Sequence, residues 1–118
     1  MSDRPWPIRL SFKGSDRVLD IAFEDGAQFA IPFELLRVES PSAEVQGHAP
    51  DQKKLVAGKS GVRVTAADPV GRYAVRLSFD DGHDSGIYSW DYLHELGENA
   101  DSMMQAYRER LKAADLPH

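Results

Sequence analysis

Apolar and polar residues alternate with a period of two along much of the first ninety positions, and with a helical period after them. Ile8, Leu10 and Phe12 alternate with Arg9 and Ser11, the pattern of a half-buried strand. Leu19, Ile21 and Phe23 repeat it around Asp20 and Ala22. Asp25-Gly26 follows, a dipeptide favoured in two-residue hairpin turns. Phe29 and Ile31 continue beyond the turn, and Pro32 ends that strand and opens a short helix over Phe33 to Arg37. Pro5 and Pro7 around Trp6 disfavour helix at the start. Strands resume at Val62 and Val64, and Asp68-Pro69 with Gly71 marks a turn. Tyr73, Val75, Leu77 and Phe79 give the clearest alternation in the chain; Asp81-Gly82 turns it, and Ile87 and Tyr88 return. From Asp91 the spacing is helical. Ala100, Met104, Tyr107 and Leu111 share one helix face, with Asn99 or Asp101 as cap and Arg108, Arg110 and Lys112 suited to the C-terminal dipole.

An internal repeat underlies the pattern. Ile21-Ala22-Phe23-Glu24-Asp25-Gly26 matches Leu77-Ser78-Phe79-Asp80-Asp81-Gly82 at an offset of 56, and Ile31 matches Ile87 at the same offset. Each copy reads strand, Asp-Gly turn, strand, short helix, the helices ending near Leu36 and Leu93. The expected fold is α+β: a small, mostly antiparallel β domain built from two hairpin–short helix units, with a C-terminal α-helix over 99–114, in one domain spanning 1–118. Residues 39–61 hold Pro41, Gly47, Pro50, Gly58 and Gly61 among polar side chains without sustained periodicity, and are expected to form a long surface loop.

Composition narrows the chemistry. The 118 residues include no cysteine, which excludes disulfides, thiolate zinc sites and a Cys nucleophile. Hydrophobic residues make up 42%, enough for a real core. The net charge of −5 argues against nucleic-acid binding, which usually shows a basic face. No apolar run is long enough for a secretory signal or a membrane-spanning helix, so a cytoplasmic home without membrane contact is expected. The charge is unevenly placed. From Ser78 to Tyr107 there are seven acids (Asp80, Asp81, Asp84, Asp91, Glu95, Glu98, Asp101) and no Lys or Arg, while the other 88 residues hold 14 basic and 12 acidic side chains. Tyr88, Trp90 and Tyr92 lie in that acidic stretch, which makes it a candidate docking face for a basic partner.

Several catalytic leads close on inspection. Gly58-Lys59-Ser60 resembles the end of a phosphate-binding loop, but position 53 is Lys53 where the motif needs Gly, and Val62-Arg63-Val64 reads as strand. His83, Asp84 and Ser85 have the residue types of a hydrolase triad, yet triads are assembled in space rather than from neighbours in sequence, and no Gly-x-Ser-x-Gly elbow exists. Asp80, Asp81, His83 and Asp84 match no calcium-loop spacing. None of His48, His83, His94 and His118 starts a His-x-Asp pair.

Leu35-Leu36-Arg37 with Ser40-Pro41-Ser42-Ala43-Glu44-Val45, then Val70-Gly71-x-Tyr73-Ala74-Val75, then Asp81-Gly82-His83-x-Ser85-Gly86-Ile87-Tyr88-x-Trp90-x-Tyr92-Leu93, resembles the gamma-butyrobetaine hydroxylase-like N-terminal domain, also called domain of unknown function 971, over roughly residues 5–97. In relatives the resemblance implies a small appendage to an iron, 2-oxoglutarate-dependent dioxygenase domain or to a P-loop ATPase linked to iron–sulfur cluster assembly. It also implies a zinc module there, with Cys-x-Cys-x-x-Cys and one downstream His. The matching positions here are Ser40, Ser42, Val45 and His83, so no metal and no cofactor is expected. Ser40 or Ser42 is expected to cap the turn that the metal holds elsewhere.

The reading that follows is a non-enzymatic, cytoplasmic binding or accessory module, a monomer or weak dimer. It would contact a protein partner, not nucleic acid or membrane, through His83, Asp84, Tyr88, Trp90, Asp91 and the 39–61 loop. The alternative is a metal- or iron–sulfur-handling accessory protein using His83, His48 and nearby carboxylates.

Overall fold

The computed structural model describes residues 6–47 and 52–117. The first strand, β1 (Pro7–Lys13), starts where Pro7 forbids helix, and pairs antiparallel with β2 (Val18–Phe23), which pairs with β3 (Gln28–Pro32). Pro32 then serves as N-cap of α1 (Phe33–Val38), and α2 (Ala43–Gln46) follows. The second sheet runs β4 (Val64–Val70), β5 (Ala74–Phe79), β6 (Gly86–Ser89), and leads into α3 (Trp90–Glu98) and α4 (Ala100–Ala113). The α+β expectation is met: two three-stranded antiparallel sheets, each continuing into a helix, with a C-terminal helix after the second.

The repeat is deeper than the sequence match. β1 and β4 both carry an irregularity at the start of their pairing, between Pro7 and Arg9 and between Val64 and Ala66. Both Asp-Gly turns close the same way. Phe23 N–H donates to Ala27 O (2.9 Å) and Gly26 N–H to Phe23 O (3.0 Å); Phe79 N–H donates to His83 O (2.8 Å) and Gly82 N–H to Phe79 O (3.1 Å). Gly26 and Gly82 each take φ +91°, a conformation other residues rarely adopt.

Beyond the turn the copies diverge by one residue. Ile21 faces Phe29 in the first hairpin, whereas Leu77 faces Gly86 in the second, one position later than the repeat would place it. A slip of one reverses the face of every following side chain. Tyr88 therefore lies in the core where Ile31 lies in the first unit, and Ile87, matched to Ile31 by sequence, is 48% exposed.

The core joins both units: Leu19, Ile21, Phe23 and Ile31 from the first sheet, Val75, Leu77, Phe79 and Tyr88 from the second, and Leu35, Leu36, Leu93, Leu96, Met104, Tyr107 and Leu111 from the helices. α3 packs on both β3 and β6 and so ties the sheets together, while α1 packs on β3 and α4. No helix among the described residues is long and apolar enough to cross a membrane.

Four expectations need correction. Val62 and Arg63 are not in a strand; β4 begins at Val64. The 39–61 loop contains α2, a single turn too short to show a period. Asp68-Pro69 is not a turn but part of β4, because an edge strand tolerates a residue without an N–H. Asn99 stands at the N-cap of α4 without a side-chain cap bond; its Nδ2 donates back to Glu95 O instead.

Candidate functional site

The end of α1 is where the second unit meets the first. The last carbonyls of a helix lack partners within it, and here two tyrosines distant in sequence, with the adjoining Ser40, supply partners at this helix end. The Tyr88 hydroxyl donates to Leu36 O, Ser40 N–H donates to Arg37 O, and the Tyr92 hydroxyl donates to Glu39 O. Burial pushes the Tyr88 and Tyr92 hydroxyls well above the usual tyrosine range, so both stay protonated donors.

Immediately after that helix end, Ser40, Ser42 and Glu44 meet His83. Ser40 Oγ lies 2.8 Å from His83 Nε2, and His83 Nδ1 lies 3.0 Å from Glu44 Oε1. The neutral ring with Nδ1–H donating to Glu44 and Nε2 accepting the Ser40 hydroxyl satisfies both contacts. Ser40 Oγ also accepts the Ser42 N–H (3.3 Å), and Ser42 Oγ caps α2 by accepting the Glu44 N–H (3.1 Å) while bonding Ser85 Oγ (2.6 Å). Gln46 Nε2 donates to Ser40 O (2.8 Å). Ser42 thus fills the capping role expected of it. Gly86 is required beside this cluster: a Cβ there would come within 2.5 Å of Ser40 Oγ and 3.0 Å of the Tyr88 ring.

The order Ser40–His83–Glu44 is that of an acyl-transfer relay. Ser40, however, is 0% exposed, so its hydroxyl meets no substrate in this conformation. Among the described residues, no three His, Cys, Asp or Glu side chains are grouped to hold a metal ion.

Below the cluster, Asp81 anchors the turn. Its Oδ1 accepts the His83 N–H (3.0 Å), and its Oδ2 contacts Arg37 Nε (2.7 Å) and Lys59 Nζ (2.6 Å). Burial alone would raise its pKa, but these donors outweigh that and hold the carboxyl well below the ordinary value of 3.8.

The docking residues expected from sequence separate accordingly. Tyr88 (0% exposed) and His83 are buried and cannot contact a partner; the register shift turns Tyr88 inward, and the hydrogen-bonded cluster holds His83. Trp90 is half-buried, its Nε1–H donating to Arg72 O (2.7 Å). Asp84 and Asp91 are exposed. His48 and His118 lie outside the described residues. Sequence reading missed Glu44 as the partner of His83: the two are 39 residues apart, and no local pattern announces the contact.

The chain matches the model of the gamma-butyrobetaine hydroxylase-like N-terminal family over residues 10–94. It belongs to that family. A protein solved in solution by NMR is 47% identical, with a TM-score of 0.85, covering 100% of this chain and 88% of that one. A second NMR structure is 40% identical, with a TM-score of 0.81, covering 95% and 88%. A crystal structure of a protein of unknown function in the domain of unknown function 971 family, from Acidithiobacillus ferrooxidans ATCC 23270, is 38% identical, with a TM-score of 0.66, covering 77% and 91%. Comparison with curated proteins finds no match. The family is one of unknown function, as its crystallised member is described.

Proposed function

We propose that this gamma-butyrobetaine hydroxylase-like N-terminal domain is a non-enzymatic accessory module of the cytoplasm that docks on a basic protein partner. The observation that carries this reading is the acidic stripe of α3. Asp91, Glu95 and Glu98 stand at i, i+4 and i+7, all exposed, opposite the buried Leu93 and Leu96. Like charges at this spacing cost an isolated helix about 0.2–0.5 kcal/mol per pair, and an acid in the last turn opposes the helix dipole. Glu98 is bonded to His94 Nδ1 (3.1 Å) and Asp91 lies in the first turn, where an acid suits the dipole, and the stripe they make with Glu95 is well suited to meet a cationic surface. Asp84 adds a further exposed acid on the β5–β6 connection.

The implied zinc does not fit this chain. The four matching positions offer two hydroxyls, one aliphatic side chain and one imidazole whose nitrogens both hold hydrogen bonds, whereas structural zinc takes four thiolate or imidazole ligands. In this reading the Ser40–His83–Glu44 and Ser42–Ser85 bonds take the mechanical role that the resemblance assigns to a metal: they clamp the end of α1 to the β5–β6 connection. The metal-handling alternative finds no support in a His83 occupied on both sides.

The test is affinity capture from the source cell at low and high salt, with the native chain and an Asp91→Lys/Glu95→Lys variant as bait. A partner retained by the native chain at low salt, and lost both at high salt and by the variant, supports the reading. Equal retention by both baits, or no partner at any salt, overturns it.

A further inference from the structure

A cavity of about 240 Å³ opens between the end of α1, the segment 53–56 and α4. Its apolar wall is Leu55, Val56 and the Tyr107 ring, and the Tyr107 hydroxyl fixes that wall by donating to Val56 O. Its charged rim is cationic: Lys53, Lys54 and Arg110 against the single carboxylate of Glu39. Glu39 is buried, with Oε1 2.6 Å from Lys53 Nζ and Oε2 3.6 Å from Arg110. The second distance is too long for a hydrogen bond, so the guanidinium keeps donors to offer. Lys54 makes no ion pair among the described residues. An apolar wall with a few convergent charges is the usual make-up of a small-molecule site, and the low-dielectric wall strengthens attraction for the opposite charge.

We propose that this cavity binds a small organic acid, its carboxylate set against Arg110 and Lys54 and its short apolar chain against Leu55, Val56 and Tyr107. Glu39 already occupies part of the cationic rim from within, as a tethered carboxylate of the same chemistry. The site is independent of the acidic stripe on α3, and either can fail without the other.

The experiment is an NMR titration of the ¹⁵N-labelled full chain with sodium hexanoate at constant ionic strength, with 1-hexanol and hexylammonium as matched probes of neutral and positive head. Hexanoate is expected to give saturable amide shifts at 53–56 and around Tyr107–Arg110, with a Kd on the order of 1 mM, the range open to so small a ligand. Hexanol should bind at least fivefold more weakly and hexylammonium should not bind there. Arg110→Gln, a half-exposed position, should weaken hexanoate several-fold. Glu39→Gln should tighten it about threefold by releasing Lys53 and Arg110, an outcome that a purely structural Glu39 would not produce. Equal binding of hexanol, non-saturating or scattered shifts, or weaker hexanoate binding by a folded Glu39→Gln variant overturns the proposal. If Glu39→Gln does not fold, the hexanol and Arg110→Gln arms decide it alone.

Discussion

The β2–β3 and β5–β6 hairpins start from the same six-residue pattern and turn through the same Asp-Gly geometry, yet they present opposite members of their second strands to the core. In the first, Ile31 is buried; in the second, one added residue between His83 and Gly86 leaves Ile87 outside and seats Tyr88. The added residue changes more than a face. It delivers the Tyr88 hydroxyl to the end of α1, while His83, at the turn position that Ala27 holds in the first unit, reaches Ser40. The first unit is an ordinary hairpin, while the second is a hairpin converted into a clamp on its twin. A duplicated motif thus acquires a polar site by a register change together with a histidine in place of an alanine after the turn, with the turn itself left intact.

The largest expected effect is a direct contrast of the two matched isoleucines. Ile31→Ala should cost about 3 kcal/mol, as a fully buried aliphatic residue cut to Ala does. Ile87→Ala, on the outer face, should stay within about 0.5 kcal/mol. Urea unfolding of both variants checks this, and similar losses at the two positions would show that the hairpins share one register after all.

Next comes the clamp. His83→Ala removes a buried ring together with the partner of Ser40 Oγ, and about 2 kcal/mol of stability should go with it. Adding equimolar zinc to the native chain should leave the melting temperature unchanged, since a ligand bound only by the folded state would raise it. A rise of several degrees in differential scanning fluorimetry would return the metal reading to favour.

How far the sequence carries a reader follows from the same comparison. The alternation of Leu19 with Ile21 and of Val75, Leu77 and Phe79, the Asp-Gly turns and the helix face of Ala100, Met104, Tyr107 and Leu111 are local signals, and the structure honours them, while Ile8 (69% exposed) beside the β1 irregularity and Tyr73 (64% exposed) ahead of β5 break the pattern. The register change is hidden because Ile87 and Tyr88 are adjacent and both fit the inward position, so the pattern does not choose between them. α2 is hidden by its length, and the run of β4 through Pro69 by the tolerance of an edge. The clamp and the acid count fail for one shared reason, distance along the chain. Ser40 and His83 are 43 residues apart, and Arg37, which neutralises Asp81, lies 44 residues before it. The stretch that sums to −7 by sequence is therefore less acidic as a surface, because Arg37 and Lys59 fold back onto it.

The smallest effect separates the two turn aspartates, Asp25 and Asp81, which are equivalent in the repeat. Both accept the amide two residues on, from Ala27 (2.9 Å) and from His83 (3.0 Å). Asp25 spends its other oxygen on His94 at an exposed position, whereas Asp81, with a side chain only 17% exposed, meets both Arg37 and Lys59. Asp81→Asn should cost about 1 kcal/mol at neutral pH, and Asp25→Asn less. The hydrogen bond from Ala27 lowers the Asp25 pKa, and Asp81 is lowered by its donors against burial, so the folded chain binds protons at both less readily than the unfolded chain does. The stability they contribute is complete above the ordinary carboxylate value of 3.8, and drains away as the pH falls from there toward the depressed folded values. Denaturant midpoints measured from pH 6 to pH 2 should decline in the native chain below about pH 4, and that decline should be flattened more by Asp81→Asn than by Asp25→Asn. Equal flattening would mean that the Arg37 and Lys59 contacts add nothing to the turn.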